Sequence, residues 1–142
     1  MPTRKAHATW EHGLRNGKGS FRGESGSING QYSFGSRFEN GTGSNPEELL
    51  AAAEAACFSM ALSAGLEQAG TPATRVETDA ACTVEKSGDG FSITRMHLDV
   101  VGTVPGIDAA TFQKAAEDAK AGCPVSKSFA GNVDISVTAR LA

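Results

Sequence analysis

The 142-residue chain has only three cysteines, one tryptophan and three histidines, and only 20% of its residues are charged. An odd number of cysteines excludes a complete disulfide framework, and so few thiols are typical of a reducing compartment. A formal net charge of −3 lacks the basic excess that favours nucleic-acid binding. The histidines are scattered, without other Cys or His at metal-ligand spacing. We therefore expect no nucleic-acid partner, no metal and no cofactor.

Long apolar runs are also scarce. The first residues, MPTRKAHATWEH, carry charges and histidines where a signal peptide needs an apolar block. Glu54 interrupts the most apolar stretch, so we expect no window that approaches the ~20 apolar residues of a membrane-spanning helix. These features predict a cytoplasmic protein with no membrane partner.

Glycine, serine and asparagine are abundant in the first part of the chain. Short β-compatible runs (HATWE, GSFR and QYSF) alternate there with turn-forming segments, which predicts β-hairpins. We expect one domain over residues 1–142, with a hairpin region at 1–43 and a core at 44–142.

The core region opens with a strong helix signal. Ser44 or Asn45 can cap the helix, Pro46 suits its first turn, and Gly70 followed by Thr71-Pro72 ends it. Alternating patterns then predict strands at 75–86 and after the SGDG turn, the second with a bulge at residues 94–95, and a closing strand at 133–141. A helix is expected at 108–121, between Asp108 and Gly122. The fold class is α+β, with a largely antiparallel sheet and a long central helix.

The three cysteines differ in their surroundings. Cys82 shares a strand face with apolar residues, which favours a packed structural thiol. Cys57 shares a helix face with apolar residues, but its alanine-rich neighbourhood also permits a tight helix junction. Cys123 stands between Gly122 and Pro124, where it is either a capping residue or a thiol activated at a helix N-terminus.

Two segments carry a resemblance to a known family. NPEELLAAAEAACFSMAL at residues 45–62, with AGCPVS at residues 121–126, closely resembles the OsmC branch of the OsmC/Ohr family of thiol-dependent organic hydroperoxide reductases. TWEHGLRNGKGS, SRFENGTGSNPEELL and VPGIDAATFQKAAEDAKAGCPVS extend the similarity over most of the chain.

The resemblance implies a role for each matching residue. Cys57 matches the peroxidatic cysteine and Cys123 the resolving cysteine, while Arg37 and Glu48 match the charged pair that activates the thiolate. It also implies an intertwined homodimer with active sites at the subunit interface, an organic hydroperoxide as substrate, and an external dithiol as reductant, with lipoyl-type dithiols as candidates.

Physical chemistry is consistent with these roles. Cys57 lies too deep in its helix for the helix dipole to stabilise a thiolate, so a cation such as Arg37 is needed, with Glu48 to orient it. Glu48 and Cys57 are separated by about 13–14 Å along the helix axis and by half a turn. Either Arg37 spans this gap, or two antiparallel helices bring Glu48 of one subunit near Cys57 of the other. The second arrangement predicts a two-fold dimer with a composite site.

Apolar residues near the cysteine could select the substrate. Phe38, Phe58 and Met60 would favour alkyl or aryl hydroperoxides over hydrogen peroxide, although each fits a core position equally well.

Two other functions are compatible with the same residues. The chain could be a non-catalytic redox sensor or a ligand-binding protein on the same fold, in which Cys57 and Cys123 change state without turnover. It could also be a structural domain whose thiols only pack.

Overall fold

Three short antiparallel strands form the N-terminal part of the computed structural model, which describes Met1–Ala142. They are β1 (Ala6–Glu11), β2 (Lys18–Gly23) and β3 (Asn29–Tyr32), in the order β1-β2-β3. Trp10 and Phe21 both pack against Tyr32, with ring centroids 5.3 and 5.9 Å from the tyrosine ring. The predicted hairpins are confirmed.

The short helix that follows the hairpins was not predicted. The sequence suggested that QYSF is a strand, but β3 ends at Tyr32 and α1 (Phe34–Phe38) begins two residues later. Ser33 caps this helix, and its side chain and that of Ser36 each accept a hydrogen bond from the other's backbone N–H. This capping box stabilises a helix start that hydrophobic periodicity cannot reveal in so short an element.

The long predicted helix is present as α2 (Pro46–Gln68). Asn45 caps it, because its Oδ1 accepts a hydrogen bond of 2.8 Å from the Glu48 N–H. Residues at every fourth position from its second turn are fully or almost fully buried: Glu54, Phe58, Leu62 and Leu66. The opposite side is exposed and rich in small residues, namely Ala52, Ala53, Ala56 and Ala64.

Helix α2 also corrects one expectation. It is long and apolar enough, by length and composition, to cross a membrane, because Glu54 does not offset the alanines and other apolar residues around it. The core helix of a soluble protein meets the same criteria, so this property is weak support for a membrane span.

The second sheet has the order β4-β5-β6. Strands β4 (Arg75–Ser87) and β5 (Gly90–Thr103) are antiparallel, whereas β6 (Asp134–Leu141) runs parallel to β5. The register shifts where Thr83 pairs with Arg95 and Val84 with Ile93, which confirms the predicted bulge.

Two helices connect β5 to β6. The first, α3 (Ala109–Gly122), is capped by Asp108, whose side chain accepts the Thr111 N–H, and the second is α4 (Pro124–Phe129). Gly102 lets α3 approach the sheet closely, since a Cβ at this position would overlap the ring of Phe112. The core contains fully buried side chains from α2, β5 and α3, including Phe58, Leu62, Met96, Leu98, Val100 and Phe112.

The chain forms two compact units, Met1–Leu49 and Leu50–Ala142, with the boundary inside the first turns of α2. The first unit contains the hairpins and α1, and the second contains the β4-β5-β6 sheet with its helices. The architecture confirms an α+β fold whose sheets are largely antiparallel, with the parallel pairing of β6 and β5 as the exception.

Candidate active site

Two cysteines that are far apart in sequence contact each other. Cys57 lies in the middle of α2 and is half-buried, while Cys123 lies between α3 and α4 and is fully buried. Their side chains are hydrogen-bonded, and no disulfide joins them. The second unit therefore contains a pair of adjacent thiols, one of which is accessible to a small molecule.

The surroundings within this unit favour the neutral thiol of Cys57. Burial raises the pKa of Cys57, and the hydrogen bond to Cys123 raises it further. The backbone N–H of Val125 lowers it, but negative charge on Cys123 or Glu54 acts in the opposite direction. All these groups belong to residues 50–142, and none is a cation.

A buried carboxyl group accompanies the thiols. Glu54 precedes Cys57 by three residues on α2, and its side chain is fully buried. Its Oε1 accepts a hydrogen bond from the hydroxyl of Ser126, a residue 97% shielded from solvent, while its Oε2 has no hydrogen-bond partner. Helices α2 and α4 are therefore joined by a polar contact beside the thiol contact.

An ion pair lies in the first unit. Arg37, on α1, donates from Nη2 to Oε1 of Glu47 at 2.7 Å and from Nε to both carboxylate oxygens at 3.1 and 3.2 Å. The Glu47 side chain is only 7% exposed, against 34% for Arg37. This forked geometry fixes the orientation of the guanidinium group.

Hydrogen bonds between α1 and the start of α2 hold the ion pair in place. The Ser36 hydroxyl donates to the Ser44 carbonyl at 2.6 Å, and the Asn45 side chain donates to the Ser36 carbonyl at 3.0 Å. Gly43 makes the intervening turn possible: its φ is +114°, and a Cβ would lie 2.8 Å from the Gln31 carbonyl oxygen. Arg37 and Glu47 therefore face each other because α1 is anchored to the helix entry.

The prediction that Glu48 is the partner of Arg37 is wrong in this structure. Glu48 is exposed, and its Oε2 accepts a hydrogen bond of 2.6 Å from the Ser44 hydroxyl instead. Neighbouring residues on a helix differ by about 100° in direction, so only one of two adjacent glutamates can face α1. That residue is Glu47.

The three predicted substrate-contacting residues have different environments. Phe38 is half-buried and its ring lies 5.1 Å from Phe34, while the Arg37 guanidinium lies 5.1 Å from the Phe38 ring centroid. Phe58 is fully buried within the core, and Met60 is 74% exposed. The burial of Phe58 agrees with the core role that the sequence also allowed.

Cys82 packs against the core as a partly buried residue, as expected for a structural thiol. The residues that sequence reasoning missed are Glu47, Glu54 and Ser126. A signal existed for the last two, since Glu54 and Ser126 each lie three residues from a cysteine of the pair.

Comparisons with known proteins show which family the chain is similar to. The family model for OsmC-like protein matches residues 39–138. Peroxiredoxin OsmC of Escherichia coli (strain K12) is 50% identical over 125 residues, which cover 87% of each chain. An organic hydroperoxide resistance protein of Xanthomonas axonopodis pv. citri is 34% identical over 100 residues, covering 69% of this chain and 68% of that protein.

The fold is similar as well. The crystal structure of the organic hydroperoxide resistance protein OhrB of Bacillus subtilis superimposes with a TM-score of 0.75 at 27% identity, covering 96% of this chain and 98% of that one. Both the sequence and the architecture show that the chain belongs to the OsmC-like protein family.

Proposed function

We propose that this protein is a cytoplasmic, thiol-dependent peroxidase that reduces organic hydroperoxides to alcohols. The contact between Cys57 and Cys123 carries the proposal, because it places a half-buried thiol beside a buried one that can resolve its oxidised form. The names of the similar proteins, peroxiredoxin and organic hydroperoxide resistance protein, support the same activity.

The proposed cycle has three steps. The Cys57 thiolate attacks the peroxide O–O bond, releases the alcohol and becomes a sulfenic acid. The Cys123 thiol then condenses with the sulfenic acid, forming a disulfide and releasing water. An external dithiol, for which lipoyl groups are the first candidates, restores both thiols by exchange.

Activation of Cys57 calls for a positive charge from outside residues 50–142, since the groups within that unit together raise its pKa despite the opposing backbone N–H of Val125. Arg37 is the proposed source. Its guanidinium group is held by Glu47 through Nε and Nη2, which leaves Nη1 to interact with the sulfur or with a peroxide oxygen.

A homodimer would complete the site. Glu47 and Cys57 are ten residues apart on α2, or about 15 Å along the axis. The midpoint is Ala52, on the exposed small-residue side of the helix, which also carries the 74%-exposed Met60. Two α2 helices crossing antiparallel near Ala52 would bury this surface and place Arg37 and Glu47 of one subunit beside Cys57 of the other.

We expect the protein to consume cumene hydroperoxide over many turnovers with a lipoyl-type dithiol. It should consume hydrogen peroxide more slowly, because Phe38 beside Arg37 could contact an alkyl or aryl group but gains nothing from hydrogen peroxide. Steady-state rates with both peroxides, each with dihydrolipoate or reduced thioredoxin, measure this. Oxidation that stops after one equivalent per chain would instead identify a redox sensor.

Mixing two inactive variants tests the composite site. Cys57→Ser lacks the sulfur and Arg37→Met lacks the cation, but a mixed dimer has one site with both groups. After random exchange of subunits, half the dimers are mixed, so about one quarter of the wild-type activity should return. Sedimentation velocity reports the dimer itself. No recovery in fully exchanged mixtures would place both groups in one subunit and contradict the composite site.

A further inference from the structure

The buried side chain of Glu54 has no explanation in the cycle above. It is fully removed from solvent, yet only one of its oxygens accepts a hydrogen bond. A buried carboxylate oxygen without a partner is costly in folding free energy. Residues of this kind call for a reason other than packing.

Two parallel contacts place the Glu54 side chain next to the sulfur pair. Glu54 lies one helical turn before Cys57 on α2, and Ser126 lies one turn after Cys123 at the start of α4. Side chains three residues apart on a helix are neighbours, about 5–6 Å apart at Cβ. Since Ser126 contacts Glu54 and Cys123 contacts Cys57, all four side chains form one cluster. Its ionisable members are Glu54, Cys57 and Cys123.

The resolving step of the proposed cycle needs a proton acceptor in this cluster. Cys123 must react as a thiolate, but its side chain is fully buried, so water cannot take its proton directly. When the sulfenic acid of Cys57 is attacked, an S–S bond forms, the S–O bond breaks and a hydroxide ion leaves. The Cys123 sulfur is oxidised and the Cys57 sulfur is reduced, so no external oxidant is required.

We propose that Glu54 accepts the proton of the Cys123 thiol during disulfide formation, with Ser126 holding its carboxylate in position. The inference rests on the proposed function. The open Oε2 takes the proton as the S–H bond breaks and passes it to the departing hydroxide, which leaves as water. Glu54 returns to the carboxylate and is ready for the next cycle.

The arrangement has an opposing effect on the first step. Negative charge on Glu54 raises the pKa of Cys57, so the same carboxylate makes the first thiol less reactive. Removing the charge should therefore slow the step at Cys123 while leaving the reaction of Cys57 at least as fast. Loss of a side chain that only supported packing would not slow the step at Cys123 while leaving the reaction of Cys57 unchanged or faster.

A mixed disulfide isolates the step at Cys123 without any peroxide. In a Cys82→Ser background, dithiobis(nitrobenzoate) modifies the half-buried Cys57 and releases one aromatic thiolate. Attack by Cys123 on that mixed disulfide then releases a second thiolate, with the thiol proton passing to the acceptor. Both releases are followed by absorbance.

The decisive variant is Glu54→Gln, which preserves the shape of the side chain and an oxygen for Ser126. We expect the first release to be unchanged or faster, and the second to be about 10²-fold slower at neutral pH. The difference should shrink at alkaline pH, where hydroxide can replace the carboxylate as proton acceptor. Glu54→Asp, which retains a carboxylate, should recover part of the rate. Glu67→Gln, an exposed position on the same helix, is the matched control and should change neither release.

A second release as fast in Glu54→Gln as in the parent protein would overturn the assignment. A deficit of equal size at every pH, with no recovery in Glu54→Asp, would also overturn it, because that behaviour indicates a packing role. The peroxidase proposal can fail independently of this one. If Glu54→Gln slows the second release but the parent protein does not turn over hydroperoxides, Glu54 is still the proton acceptor and only the proposed substrate is wrong.

Discussion

Cys57→Ser should abolish hydroperoxide turnover, with no consumption above the uncatalysed rate. A serine hydroxyl is neither ionised near neutral pH nor able to form a sulfenic acid, so no other step of the cycle can compensate. The substitution replaces one half-buried atom, and the fold should persist. The measurement is the consumption of cumene hydroperoxide in the presence of a dithiol, with circular dichroism to confirm folding.

The other two cysteines give contrasting controls. Cys123→Ser should still oxidise once, producing about one alcohol per chain and a Cys57 sulfenic acid that dimedone traps for mass spectrometry. Cys82→Ser should keep full turnover, since Cys82 packs against the core and does not belong to the thiol pair. Residual turnover in Cys57→Ser that disappears when Cys82 is also replaced would mean that the peroxidatic residue has been assigned to the wrong sulfur.

Periodicity and capping chemistry predicted most of the secondary structure. Helix α2, the bulged strand pair and the Asp108 cap each leave a local pattern in the sequence, and each is present. The two short helices, α1 and α4, are the exceptions, because five or six residues are too few to show a helical period. Helix α1 is stabilised by contacts with a later segment, through Ser36 and Asn45, and these contacts arise only when the chain folds.

The thiol pair could be inferred from the sequence, but its chemical setting could not. The resemblance identified Cys57 and Cys123 through two specific motifs. The ion-pair partner of Arg37 depended on which of two adjacent glutamates faces α1, a difference of about 100° in rotation that the sequence does not encode locally. The structure resolves it in favour of Glu47.

Glu54 shows a different limit of prediction from sequence. In the sequence it is a charged residue within an alanine-rich run, and it suggested only that the helix is not a membrane span. Its complete burial depends on Ser126 and the packing of α4, which follow much later in the chain. A carboxylate placed one turn from a cysteine is a pattern worth testing in other sequences, but the unpartnered oxygen is visible only in three dimensions.

Glu47→Gln should reduce kcat/KM for organic hydroperoxides by about 10²-fold, because small displacements of a positioning group cost about that much in rate. Glutamine can still accept one hydrogen bond from Arg37, but it loses the charge and the fork that fix the guanidinium. Glu48→Gln is the matched control: it changes the same residue type in the same helical turn, at an exposed position bonded only to its own cap region. Its effect on rate should remain below about threefold, within the range of exposed charge changes.

The pKa of Cys57 shows whether Glu47 acts by positioning Arg37 or through its own negative charge. If Glu47 acted through its own negative charge, its removal would stabilise the thiolate, lower the pKa of Cys57 and raise the rate. If it acts by orienting Arg37, its removal withdraws the cation from the sulfur, so the pKa of Cys57 rises and activity returns as pH increases. We expect the second result. The pKa of Cys57 is measured by titrating thiolate absorbance against pH in Glu47→Gln, Glu48→Gln and the parent protein. A lower pKa in Glu47→Gln would show that Arg37 does not depend on this carboxylate for its action on Cys57.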